Sequence, residues 1–120
     1  ENTQLDVDYL FIEGVGGVMV PLNQDETYLD LLQLSPYPII LVVGMKLGCL
    51  NHALLTAAVL KQRGLKLVGW IANQIDPQME YYPQNLIYLS QALDALLIAE
   101  IPYQQPIRTT KFFTELFPCL

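Results

Sequence analysis

Apolar residues in this chain gather into short continuous runs rather than alternating with polar ones. Residues 9–12 (YLFI), 39–43 (IILVV), 66–72 (KLVGWIA) and 97–101 (LIAEI) are such runs. A continuous run of this length is the pattern of a parallel strand covered on both faces. The IILVV run is the clearest, because its β-branched side chains suit a pleated sheet. Between the runs the rhythm changes to that of helices. Thr27 is placed to cap a short helix through Tyr28, Leu29, Leu31 and Leu32, and the prolines at 36 and 38 stop it. Residues 51–63 bring Leu54, Leu55, Ala58 and Val59 to one side, with Gly64 as the stop. Residues 84–97 repeat leucine at 86, 89, 93 and 96, and residues 109–116 have the length of a last short helix. Residues 18–22 read as a brief extended piece before a loop at Asn23, Gln24 and Asp25.

The alternation of strand and helix predicts an α/β fold: a parallel β-sheet with helices on both faces, in a single domain over residues 1–120. Right-handed crossovers would bring the strand ends at Glu13, Gly44, Asn73 and Pro102 to one rim. Ligands bind at that rim in open α/β sheets. Glu13 is followed at once by Gly14, Val15, Gly16 and Gly17. Glycines there free the backbone to turn and to approach a ligand closely. An acid beside bare N–H groups suits a Mg²⁺–phosphate or carboxylate ligand. A strand ending in a surface glycine turn would have the same sequence.

Composition narrows the classes. Hydrophobic residues make up 52% of the 120 and charged residues only 15%, so part of the surface is expected to be covered by a partner or by more of the same fold. The formal net charge is −6 and the six basic residues are scattered, which disfavours nucleic-acid binding. Cys49 and Cys119 form no CxxC or Cys/His cluster, so no zinc site is indicated, and a reduced, cytoplasmic setting is the simplest reading. The longest apolar stretch, residues 39–50, is interrupted by Lys46 and is too short to span a bilayer, so no membrane partner is expected. The polar, acidic start shows no leader pattern. Because it lies only a few residues before a strand, it reads as a cut inside a larger fold.

Five strings carry a family resemblance: FIEGVGGVMVPL at 11–22, PIILVVGMKLGCLNHA at 38–53, GLKL at 64–67, GWIAN at 69–73 and, more weakly, AEIP at 99–102. Together they resemble the C-terminal half of the dethiobiotin synthetases, biotin-pathway members of the P-loop NTPase superfamily. KLGCLNHALLT is the most specific string, whereas AEIP departs from the glycine that the family has before the acid. The resemblance implies ATP and Mg²⁺, with 7,8-diaminopelargonate and CO₂ as the other substrates, and a homodimer. It implies that Glu13 is a Mg²⁺ ligand. It also places Glu13, Gly14, Val15, Gly16, Asn73, Gln74, Pro102, Tyr103 and Gln104 around the nucleotide. Asn73 would meet the adenine base, and Gln74 stands where the family often has Asp. Gly17 and Asn51 would meet the diamine, Asn51 holding its carboxylate tail across the dimer.

The sequence departs from the family in one major respect. It contains no GxxxxGK[ST] loop, and the family's catalytic lysine and second metal carboxylate are expected upstream of residue 1. No catalytic residue is therefore assigned within the chain, which is expected to be inactive alone. Two other classes stay open: a related P-loop enzyme of the cobyric-acid or MinD/ParA type, and a non-catalytic dimerisation or binding module. Lys46 reads equally as a rim residue or a snorkelling surface lysine. His52 reads as structural and Trp70 as core. Tyr81, Tyr82 and Tyr88 make a polar-aromatic face with Gln84, Asn85 and Gln91 that an interface or a half-exposed helix would both show.

Overall fold

The computed structural model describes residues 6–14, 16–34, 37–106 and 108–109. Helix α1 (Tyr28–Gln33) precedes strand β1 (Ile39–Met45), helix α2 (Cys49–Gln62) and strand β2 (Leu67–Gln74). Helix α3 (Tyr82–Ala92), strand β3 (Leu96–Ile101) and the two-residue strand β4 (Arg108–Thr109) follow. The sheet order is β1-β2-β3-β4. The first two pairings are parallel and the last is antiparallel. This is the α/β architecture, with a parallel sheet and crossover helices, that the alternating pattern predicts.

Local chemistry sets the helix ends. Thr27 is extended, at φ −110° and ψ 169°, and caps α1. Gly64 stops α2 by turning left-handed at φ +70°. Helix α3 ends at Ala92, five residues short of the leucine repeat that suggested 84–97. Leu93 leaves the helix in an extended conformation and still reaches the core, with 4% of its surface exposed. The repeat therefore runs across a helix end and into a strand.

The core lies between the sheet and the α2–α3 pair. Val43, Met45, Trp70 and Ala72 come from the strands, Cys49 and Ala53 from α2, and Leu89 and Leu93 from α3 and its end. Met45, Trp70 and Leu89 are fully buried. Val42 on β1 is 57% exposed, so the strand expected to be covered on both sides is open there among the described residues.

Residues 9–12 depart furthest from the expected pattern. They belong to no strand of the described sheet, and Tyr9, Leu10, Phe11 and Ile12 are 47%, 59%, 71% and 60% exposed. The expected buried central strand is therefore corrected to an exposed stretch outside the sheet. An apolar run becomes a strand only when a neighbouring backbone pairs with it and side chains cover it. Here the run is assigned to no strand and its side chains stay largely exposed. The predicted helix at 109–116 begins instead with Thr109 in β4, paired with Ala99, and its other residues lie outside the described ones.

Candidate functional site

The three parallel strands end side by side. Gly44 pairs in register with Asn73, and Asn73 with Ile101, so the chain leaves the sheet at one rim after β1, β2 and β3. Asn73, half-buried, is the central member of that row. The residues after the strands then interlock. Ile75 lies over Gly44, where an added Cβ would come within 3.0 Å of its Cδ1. The Gln74 Oε1 accepts a hydrogen bond from the Tyr103 N–H at 3.3 Å, and Gln74 Nε2 donates to the Asp76 carbonyl at 3.5 Å. Pro102 is buried, while Tyr103 and Gln104 are exposed. Asn73, Gln74, Pro102, Tyr103 and Gln104 are thus brought to one end of the sheet.

The glycine turn reaches the same end by another route. Gly16 and Gly17 are left-handed, at φ +83° and +95°, a conformation that a side chain would strain. They line an open groove of about 580 Å³ together with Gly44, Lys46, His52 and Ile75. Gly14 differs: a Cβ there would stand 2.4 Å from Cε1 of Tyr28, so a side chain at this position would need the tyrosine ring to turn aside. The tyrosine ring therefore lies directly against the backbone that follows Glu13. Val15 lies outside the described residues.

Helix α1 holds this turn in place. Its first residues donate backwards, Tyr28 N–H to the Val20 carbonyl and Leu29 N–H to the Val18 carbonyl, both at 2.8 Å. Asp30 fastens the helix start by accepting from the Thr27 N–H at 2.8 Å and from its hydroxyl at 2.7 Å. Arg63, at the end of α2, lies 3.6 Å from Asp30 and donates to Gln33 at 2.6 Å. The Thr27 N–H above all, then the Thr27 hydroxyl and the Arg63 charge, hold the Asp30 carboxyl below its ordinary range.

Glu13 is exposed at the start of this turn. Among the described residues no cluster of three His, Cys, Asp or Glu could enclose a metal. A single exposed carboxylate has the hard oxygen chemistry that suits Mg²⁺, an ion that keeps several waters and shares its remaining positions with phosphate oxygens. Asn51 occupies the first turn of α2 and is exposed, but is not among the groove-lining residues. Lys46 and His52 are, and both are exposed. The sequence suggested a structural histidine; the structure places His52 on the groove wall rather than in the core. Tyr28 was read only as a helix residue, and nothing in the sequence pairs it with Gly14.

A family model described as an AAA domain matches residues 1–111. The chain belongs to this family of P-loop NTPases. It is similar to the ATP-dependent dethiobiotin synthetase of Legionella pneumophila strain Corby, at 52% identity over 85% of this chain and 49% of that protein. The dethiobiotin synthetase of Nitrosospira multiformis is 46% identical over 82% of this chain and 43% of its own length. That of Baumannia cicadellinicola is 49% identical over 80% and 43%. The chain thus spans about half the length of the curated relatives it matches. Among the described residues of this AAA-domain chain, no helix is long and apolar enough to cross a membrane.

Proposed function

We propose that this chain supplies part of an ATP- and Mg²⁺-dependent dethiobiotin synthetase acting in the cytoplasm in biotin biosynthesis. The overall reaction joins 7,8-diaminopelargonate and CO₂ into a ureido ring. One amine takes up CO₂ as a carbamate, ATP phosphorylates the carbamate, and the second amine closes the ring with loss of phosphate. The observation that carries this reading is the shared rim. Glycine turn, strand ends and the loop after β3 lie together in a chain about half identical to dethiobiotin synthetases.

The residues take distinct roles in it. Asn73 offers an amide that can pair with the adenine edge, beside the Pro102, Tyr103 and Gln104 loop. Glu13 would hold Mg²⁺ together with phosphate oxygens, and the ion would supply positive charge against the transferring phosphoryl group. The Gly14–Gly17 backbone would line the phosphate and diamine region. Asn51 would meet the diamine carboxylate at a homodimer interface, with Lys46 adding positive charge along the groove. The phosphate-binding loop has no counterpart in this sequence. The reaction therefore requires a loop from further polypeptide, and the 120-residue chain alone makes no product.

A chimera tests this reading. This chain replaces the matching stretch of the Legionella relative, and dethiobiotin is measured from the diamine, bicarbonate and Mg·ATP. Product from the chimera but not from the isolated chain is expected. Glu13→Gln should lower the chimera's turnover about 100-fold or more. A folded chimera that binds neither Mg·ATP nor the diamine would leave the non-catalytic module as the better account.

A further inference from the structure

We infer that the Gln74 side chain is a clamp on the loop after β3 and contributes to nucleotide binding through that loop, rather than by touching the base. The inference rests on the proposed nucleotide site and reassigns one of its members. Gln74 is the last residue of β2, one strand away from the end of β3. Its Oε1 accepts from the Tyr103 N–H at 3.3 Å, across 29 residues of sequence, and its Nε2 faces the Asp76 carbonyl at 3.5 Å. Both ends of the amide are thus directed at backbone.

The loop it holds has a built-in reason to need holding. Residues 102–105 form a tight turn closed by the Gln105 N–H on the Pro102 carbonyl at 3.4 Å. Gln104 sits at φ +50°, a left-handed conformation that a side chain other than glycine resists. Such a turn keeps its shape only when its surroundings fix it. Burial of Pro102 fixes one end, and the Gln74 acceptor fixes the next N–H. With the amide committed to the loop, the neighbouring Asn73 is left as the side chain of this pair available to the purine.

Amide hydrogen exchange on the full 120-residue chain without nucleotide reads the clamp directly. Gln74→Ala should speed exchange at Tyr103 about fivefold or more, with the core strands unchanged. Gln74→Glu keeps the acceptor and should leave Tyr103 near the wild-type rate. Gln104→Gly relieves the left-handed residue and should return part of the protection to Gln74→Ala. In the chimera, Gln74→Ala should raise KM for ATP about fivefold with kcat within twofold, and Gln74→Glu should restore it. Unchanged Tyr103 exchange in Gln74→Ala overturns the clamp, whatever happens to ATP. Faster exchange in a protein that uses no ATP would support the clamp and overturn the proposed function instead.

Discussion

The fit between Gly14 and Tyr28 shows how a single residue can set the site. A Cβ at Gly14 would force the ring to move, so the glycine matters for space and not for its φ. In the chimera, Gly14→Ala should reduce ATP-dependent turnover about tenfold or more, by pushing the chain after Glu13 away from the rim. Tyr28→Leu in the same molecule should recover part of it, and a steady-state assay of the three variants checks this. Asp30 makes a pH-dependent contribution nearby. Its carboxyl is held below the ordinary value of 3.8, so its stabilisation is present above about that pH and is lost as pH falls through the lowered value. Asp30→Asn should therefore lower the thermal midpoint at pH 7, and the gap from wild type should narrow as pH falls below about 3.8. A gap of constant size would refute the assignment.

Among the elements, β2 is the most constrained, because it is paired on both sides and contributes the largest core side chain. A Cβ at Gly69 would come within 2.4 Å of Ile98, so that glycine lets β3 close on β2. Gly69→Ala should destabilise the fold by about 1–3 kcal/mol in urea denaturation, the usual cost of overpacking. Trp70 is fully buried, and its Nε1 has no hydrogen-bond partner among the described residues. Trp70→Phe loses contact area but also removes an unsatisfied donor, so it should cost about 1–2 kcal/mol. Trp70→Ala should cost about 3–5 kcal/mol. Equal losses for Phe and Ala would mean that the indole N–H is satisfied after all.

At the scale of the whole molecule, the apolar surface is uneven. Leu10, Phe11 and Ile12 are more than half exposed, and Leu47, between β1 and α2, is 95% exposed. Surfaces of this kind favour association. Sedimentation of the 120-residue chain should show concentration-dependent self-association that Phe11→Lys weakens, with the circular dichroism spectrum unchanged. The same residues show where pattern reading stops. The IILVV run, the Thr27 cap, the Gly64 stop and the order of strands and helices were legible because each depends on nearest neighbours in sequence. The YLFI run was not, because its pattern reports a need for coverage and cannot say whether a neighbour supplies it.

The chain's own order of residues determined an α/β sheet with its strand ends on one rim, since local propensity and right-handed crossover leave few alternatives. It also marked Glu13, the glycine turn, Asn73 and the loop after β3 as residues for that rim. Only the folded arrangement decided that Tyr28 packs on Gly14, that Gln74 grips Tyr103, and that Lys46 and His52 share a groove with Gly16 and Gly17. These contacts join residues 14 to 36 positions apart, and the hydrophobic period carries no information about partners at that separation.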